Sequence, residues 1–176
     1  MQARSALSVY LAGPGVFRRD ADAYGARLKA LCLANGLQPL WPLDNHAEGE
    51  PAAMARMLAE KNCAMIRACD AVIADISPFR GPNMDPGTAF EIGYALARDK
   101  PVFLYSHSRH TLFARTAANA DLSRDAAGKS FDVDDMQVED FGLTENLMIA
   151  ASVGDIHDSV DAAIAACVAS LAPSQR

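Results

Sequence analysis

The chain lacks the long apolar runs that mark membrane proteins. None of its apolar stretches approaches the roughly 20 residues that a helix needs to cross a bilayer. The apolar run near the N-terminus is too short for a signal peptide, and it continues directly into strand-like sequence. These absences argue against membrane insertion and secretion, and the resulting expectation is a cytoplasmic location.

Cysteine is also scarce, which bears on disulfides and metals. The four cysteines show no C-x-x-C spacing and fall inside helix-like segments, and the four histidines do not pair with them at ligand spacing. We interpret the cysteines as small buried apolar residues. Neither a disulfide framework nor a metal site is expected.

An excess of positive charge is missing as well. The formal net charge is −6, and no basic cluster or basic stripe with interleaved aromatic residues is present. This balance argues against nucleic acid or an anionic membrane as a partner bound through bulk electrostatics. What remains is 176 residues with 51% hydrophobic and 22% charged content. Such a chain suits one globular domain spanning residues 1–176, with a sizeable core.

Strand-like and helix-like segments alternate along the chain, which predicts a parallel sheet with right-handed crossovers. The predicted strands are 7–12, 37–41, 71–76 and 102–105, with a short fifth strand before the last helix. The predicted helices are 20–34, 51–68, 88–98 and 157–171. We therefore expect an α/β fold, namely a flavodoxin-like, doubly wound sandwich with a five-stranded parallel sheet.

Residues 107–145 interrupt this alternation with a polar and acidic stretch. A connection of this length in a compact domain usually has a function or is disordered. Two interpretations stay open. The stretch is either a lid or subunit contact at the mouth of a site, or a solvated surface excursion.

Three acidic residues fall near one edge of the predicted sheet. Asp75 ends the third strand, and Asp85 and Glu91 flank the start of the next helix, after a loop rich in Pro and Gly. Ligands of open parallel sheets bind outside the carboxyl ends of the strands. Each acid also has a purely structural explanation. Thr88 and Glu91 match a capping box, and Asp85 before a proline matches an N-cap.

Four segments, in order, resemble the nucleoside 2-deoxyribosyltransferase family. The block DPGTAFEIGYA, from Asp85 to Ala95, matches the family signature D-x-G-T-A-F-E-x-G-Y-A. The other three are YLAGP from Tyr10, WPLDN from Trp41 and NLM from Asn146. The resemblance implies an enzyme of nucleoside salvage that swaps bases on 2′-deoxyribonucleosides without a cofactor. Its partners would be a deoxyribonucleoside, a free nucleobase and at least one further copy of the chain.

The resemblance also implies a role for each matching residue. Glu91 would be the nucleophile, because a carboxylate at the anomeric carbon stabilises an oxocarbenium-like state and can attack it. A position near a helix N-terminus would favour its charge, and two displacements would give net retention. Tyr10 would touch Glu91, and Asp85 would bind sugar hydroxyls. From a neighbouring subunit, Asn146 would bind the 5′-hydroxyl and Met148 would pack near the sugar or base.

One position departs from the family pattern. Some members carry an acid on the second helix that protonates the leaving base, whereas the aligned residue here is Asn62, which has no acidic proton to give. Asp75 is one substitute donor, and protonation of a purine through water is another. The expected lining of the substrate pocket combines the first loop with apolar and aromatic side chains: Gly13, Phe17, Trp41, Pro42 and Phe79.

Two other functions stay open. A 2′-deoxynucleoside 5′-monophosphate N-glycosidase of the same superfamily would need a phosphate cradle. The loop 13–17 serves that purpose poorly, because Pro14 removes one backbone N–H. A non-catalytic nucleotide-binding module is the other alternative. Its G-x-G-x-x-G pattern is broken by Arg18, which stands where the third glycine belongs.

Overall fold

A computed structural model describes residues 6–172 of the chain. Five strands form its main sheet: β1 Leu7–Ala12, β2 Leu37–Leu40, β3 Ala71–Asp75, β4 Val102–Tyr105 and β7 Ile156–His157. They are parallel and lie in the order β2-β1-β3-β4-β7. The central strand β3 is buried along its whole length, as expected of a strand covered on both faces.

Six helices accompany the sheet: α1 Ala21–Ala34, α2 Pro51–Ala68, α3 Pro86–Leu96, α4 Leu112–Asn119, α5 Leu147–Val153 and α6 Val160–Leu171. Buried residues of α1 and α6 share one core cluster with one face of the sheet, and those of α2 and α3 share a second cluster with the other face. Helices on both faces of a parallel sheet are the flavodoxin-like, doubly wound arrangement. The predicted fold class is confirmed.

The start of α3 differs from the predicted start at Thr88. The helix begins at Pro86, and the side chain of Asp85 caps it by accepting a hydrogen bond from the backbone N–H of Thr88. Proline fits the first helical position because the N–H that it lacks would have no partner there. The other elements fall within about three residues of their predicted bounds.

The stretch 107–145 contains regular structure of its own. It holds α4 and a small antiparallel hairpin of two strands, β5 Ser123–Arg124 and β6 Ser130–Phe131. A buried ion pair joins α4 to the end of this stretch, with 3.0 Å between Arg115 Nη2 and Glu145 Oε2. Arg115 Nε also donates to the backbone carbonyl of Pro82, which fastens the stretch to the loop before α3. Glu145 also accepts a hydrogen bond from the backbone N–H of Met84, next to the start of α3.

Among the helices of residues 6–172, none has the length and apolarity to cross a membrane.

The sheet order creates a crevice at the carboxyl ends of β1 and β3. These neighbouring strands continue into helices on opposite faces of the sheet, α1 on one and α3 on the other. The loops that follow the two strands therefore diverge and leave a gap between them. Ligands bind at such switch points in open α/β sheets.

Candidate active site

A tyrosine and a glutamate form the centre of this crevice. The hydroxyl of Tyr10, on β1, donates a hydrogen bond to Oε1 of Glu91, on α3, over 2.5 Å. Tyr10 is fully buried and faces α2 and α3. Since Asp85 caps the helix and Glu91 bonds across the fold, the capping-box explanation of Glu91 is wrong.

Burial sets the protonation of this pair. Loss of water raises the pKa of Glu91 to about 7, against an opposing hydrogen bond from Tyr10, and the negative charge of Asp85 adds to the rise. Burial and the nearby Glu91 raise the pKa of Tyr10 well above its usual value, so the phenol keeps its proton. The pair is thus a phenol donor and a carboxylate that gains its charge close to neutral pH.

The position of Glu91 on α3 corrects one expectation about its charge. Because the helix begins at Pro86, Glu91 lies in its second turn. The field of a helix terminus falls off within the first turn. The upward pKa shift of Glu91 agrees with this position and is opposite to the effect expected of a helix N-terminus.

The two carboxylate oxygens of Asp85 have different surroundings: one caps α3, and the other has no donor and belongs to a residue that lines a cavity. Its Oδ2 accepts hydrogen bonds from the backbone N–H of Thr88 at 2.8 Å and from Thr88 Oγ1 at 2.9 Å. Its Oδ1 receives no hydrogen bond from any residue in the described range 6–172, although Asp85 is buried. A carboxylate oxygen without a donor, on a residue that lines a cavity, is a ready acceptor for a ligand hydroxyl.

Two adjoining cavities, which share four lining residues, lie beside these groups. The inner chamber measures about 190 Å³ and is lined by Gly13, Val16, Phe17, Pro42, Asn62, Asp85, Gly87, Thr88 and Glu91. The outer chamber measures about 650 Å³ and shares the lining residues Val16, Phe17, Pro42 and Asn62 with the inner one. It adds both apolar and polar side chains, among them Leu43, Leu58, Asn45 and His46. The small chamber therefore holds the carboxylates, and the larger one is walled mostly by apolar groups.

Gly13 allows the loop after β1 to pass close to β3. Its φ of +148° lies in a region that side-chain-bearing residues rarely adopt. A Cβ atom at Gly13 would lie 2.7 Å from the Cβ atom of Asp75. Glycine at this position thus brings the loop against the end of the neighbouring strand.

Asp75 does not reach the Glu91 chamber, which corrects the expectation that it replaces the missing acid. Side chains alternate between the faces of a strand. Val72 and Ala74 pack with Tyr10, so Asp75 leaves β3 on the opposite face, beside Ile73. It lines a separate cavity of about 290 Å³, where His107 Nε2 lies 4.0 Å from its Oδ2.

Two aromatic residues predicted as pocket walls lie elsewhere. Trp41 is buried in the core beside Tyr24, and a Cβ atom at Gly25 would lie only 2.6 Å from its indole nitrogen. Its neighbour Pro42 lines the chambers instead. Phe79 lines the Asp75 cavity, and its ring stacks on that of Phe17 with 5.2 Å between centroids. Phe17 borders all three cavities.

Asn146 and Met148, the two candidates near the C-terminus, lie at the start of α5 within the single chain. Asn146 caps α5 by accepting a hydrogen bond from the backbone N–H of Met148, and its amide donates to Glu139. The side chain of Met148 is exposed, with 67% of the residue accessible. Neither residue lines the inner chamber. Asn62 does line it, and its Oδ1 accepts a hydrogen bond from Asn45 Nδ2 at 3.0 Å.

Sequence reasoning missed several lining residues of the chambers. Val16 borders both chambers, and Leu43, His46 and Leu58 border the outer one. Leu43 belongs to a segment that resembles the family, and His46 follows that segment directly. Their nearness to a predicted strand end was the available signal.

Within residues 6–172, no group of three or more His, Cys, Asp or Glu side chains is arranged to hold a metal ion.

Fold and site together define a flavodoxin-like α/β protein with a buried Tyr–Glu pair at the carboxyl edge of its sheet. The chain belongs to the nucleoside 2-deoxyribosyltransferase family, whose model matches residues 9–148.

One solved structure agrees with this assignment, and a second shares the fold. A 2-desoxiribosyltransferase from Leishmania mexicana is 38% identical with a TM-score of 0.75, and the match covers 94% of this chain and 99% of that one. A 2-deoxyribosyltransferase from Bacillus psychrosaccharolyticus is 18% identical with a TM-score of 0.58, and the match covers 88% of each chain. The second match shows a shared fold.

A curated relative extends the comparison to a longer protein. An uncharacterized protein of Schizosaccharomyces pombe is 40% identical over 99 residues, which is 53% of this chain. The match spans 47% of that protein, so the shared part is about half of its length.

Proposed function

We propose that this protein transfers the 2-deoxyribosyl group between the nucleobases of 2′-deoxyribonucleosides. The observation that carries the proposal is the short hydrogen bond between Tyr10 and Glu91 inside a small chamber. A carboxylate in that position can attack the anomeric carbon C1′ of a bound sugar. The carbon–nitrogen bond to the base then breaks, and a deoxyribosyl ester of Glu91 remains. A second base attacks C1′ from the face that the first one left, so the configuration is retained.

Tyr10 has a defined part in both displacements. Its hydroxyl holds one carboxylate oxygen of Glu91 and leaves the other oxygen for the sugar. When the ester breaks, the same hydroxyl stabilises the negative charge that returns to Glu91. Because burial keeps Tyr10 protonated, it remains a donor throughout the reaction.

The lining of the chambers suits an uncharged nucleoside. The inner chamber offers Oδ1 of Asp85 to a sugar hydroxyl. Among its lining residues in the described range there is no Lys or Arg that would bind a 5′-phosphate. Arg18 instead pairs with Asp20 at 2.8 Å and lines the Asp75 cavity. This arrangement favours a deoxynucleoside over its monophosphate as the substrate.

A neighbouring copy of the chain completes the site in this proposal. Met148 carries a large exposed apolar side chain, as does Phe90 on α3. Exposed apolar groups of this kind are typical of interfaces. In a homodimer or larger assembly, Asn146 of one copy would reach the 5′-hydroxyl in the other, with Met148 beside the sugar or base. Residues 107–145 would lie over the mouth of the site, within one domain spanning 1–176.

Exclusion of water would favour transfer over hydrolysis, because the ester must survive until a second base arrives. The apolar walls of the outer chamber, formed by Val16, Phe17, Leu43 and Leu58, support this. The reaction requires no cofactor, and the proposed setting is nucleoside salvage in the cytoplasm.

The direct test is mass spectrometry of the intact protein after incubation with 2′-deoxyinosine. We expect a mass increase of one deoxyribosyl group, located on Glu91 by peptide mapping. The Glu91→Gln variant should bind the nucleoside without forming the adduct, and Glu60→Gln, on the exposed side of α2, should form it normally. If the protein forms no adduct and also exchanges no base with added adenine, the proposal is refuted.

A second assay separates the transferase from the glycosidase alternative. The protein is given 2′-deoxyinosine or its 5′-monophosphate, each with and without a free acceptor base. Base exchange on the nucleoside supports the proposal. Faster cleavage of the monophosphate, with free sugar phosphate as the product, would support the hydrolase.

A further inference from the structure

The proposed reaction leaves the departing base without a proton donor. A neutral purine leaves slowly unless a ring nitrogen is protonated as the bond to C1′ breaks. The acid that some family members carry on α2 is replaced by Asn62, and Asp75 lies on the opposite face of the sheet. Tyr10 and Glu91 are both occupied at the sugar end of the site.

The outer chamber contains one side chain of the required type. Its polar lining residues are Asp22, Asn45, His46, Glu48 and Asn62. Amide side chains have no acidic proton, and a carboxyl group is a suitable donor where burial keeps it protonated, whereas Asp22 and Glu48 are exposed residues. An imidazole is the side chain type that both gives and takes a proton near neutral pH.

The loop that carries His46 is fastened to α2 beside Asn62. The side-chain nitrogen of Asn45 donates to Oδ1 of Asn62 at 3.0 Å, and Lys61 Nζ donates to the backbone carbonyl of His46. Asn62 lines both chambers. The backbone of His46 is thus anchored beside Asn62, on the wall of the outer chamber, into which a base would project from a sugar held near Glu91.

We propose that His46 is the general acid that protonates the leaving nucleobase, and the base that accepts this proton from the incoming one. The proposal rests on the transferase function given above. As Glu91 attacks C1′, the electron pair of the C1′–N9 bond passes to the purine, and a ring N–H of His46 protonates N7. The base departs neutral, and His46 is left neutral. In the return step N9 of the acceptor purine attacks C1′, Glu91 leaves, and the N7 proton passes back to His46.

The test compares two substrates that differ in their need for a proton. 2′-Deoxyinosine has a neutral base that must be protonated. 7-Methyl-2′-deoxyguanosine has a base that is already positively charged and leaves without a proton. We expect His46→Gln to lower kcat for 2′-deoxyinosine about 100-fold or more, the usual contribution of a general acid. The same variant should turn over the methylated substrate as fast as the wild-type protein does.

His157→Gln is the matched control, because His157 lies on β7, outside residues 107–145 and outside the lining of both chambers. It should leave both substrates unaffected. The methylated substrate also reports on folding, since its cleavage still needs the intact site around Glu91. His46→Ala should show the same difference between substrates as His46→Gln.

The outcomes separate this inference from the proposed function. Equal loss on both substrates, or no loss on either, would overturn the role of His46 and leave the transferase standing. A wild-type protein that cleaves neither substrate and forms no adduct on Glu91 would overturn both. Selective loss on 2′-deoxyinosine alone supports His46 as the acid.

Discussion

Replacing Glu91 with glutamine should remove turnover and, at alkaline pH, stabilise the folded protein. Ionised Glu91 is held in a place that has lost much of its water, which is why its pKa rises to about 7. Glutamine has nearly the same shape and can still accept a hydrogen bond from Tyr10. It carries no charge at any pH, so the folded protein no longer has to bury one.

The size of the effect follows from the pKa shift. Burial raises the pKa of Glu91 from 4.5 to about 7, and at about 1.36 kcal/mol per unit this difference corresponds to about 3 kcal/mol. The pKa of Glu91 is higher in the folded protein than in the unfolded chain. The carboxyl group therefore makes its full contribution to the free energy of unfolding at pH values below the pKa of the unfolded chain. That contribution is lost as the pH rises through the folded pKa. The advantage of Glu91→Gln should therefore grow by about 3 kcal/mol between pH 4.5 and a pH well above 7.

The assay is urea unfolding of the wild type and the variant, followed by circular dichroism at several pH values across this window. Taking the difference between the two proteins cancels the titration of all other groups. Glu60→Gln removes one exposed negative charge on α2 and controls for the change in net charge. A difference for Glu91→Gln that stays constant with pH, or that falls as the pH rises, would refute the reasoning.

Three further changes test the site and its supports. Tyr10→Phe removes the hydrogen bond that lowers the pKa of Glu91, so the acidic limb of the pH–rate profile should move to higher pH by about one unit; an unmoved limb would contradict the proposed pair. Arg115→Ala leaves the carboxylate of Glu145 buried without its partner, and the free energy of unfolding in urea should fall by about 3 to 5 kcal/mol. A loss below about 1 kcal/mol, the usual value of an exposed pair, would show that the pair contributes little to stability. Gly13→Ala introduces a strained φ and a Cβ contact of 2.7 Å with the last residue of β3. Thermal unfolding should show a loss of about 1 to 3 kcal/mol, and an unchanged midpoint would mean that the loop relaxes freely.

The local pattern of the chain was enough to predict its architecture. Apolar runs of strand length alternate with helical spacing, and β1, β4 and α2 fall where the pattern placed them. The start of α3 was harder, because two capping signals overlap there. Asp85 with Pro86 competes with Thr88 and Glu91, and the contact between Glu91 and Tyr10, 81 residues apart, decides which signal is used.

The candidate site was predicted in part. The family resemblance pointed to Glu91, Tyr10 and Asp85, and the structure brings all three to one end of the sheet. It also pointed to Asn146, whose side chain caps α5 within its own chain. A contribution to a neighbouring site depends on a second copy, so a single sequence contains no local signal for it.

The amino-acid sequence alone determined the order of strands and helices and the presence of an acid at the carboxyl edge of β3, because these follow from local spacing and backbone preference. Only the tertiary structure decided which face each side chain occupies. In a strand that is apolar on both sides, such as β3, no polar alternation marks the faces, so Asp75 could not be assigned to one of them. Trp41 was ambiguous for a related reason. Whether an aromatic ring lines a pocket or fills the core depends on the room left by distant residues, here Gly15 and Gly25.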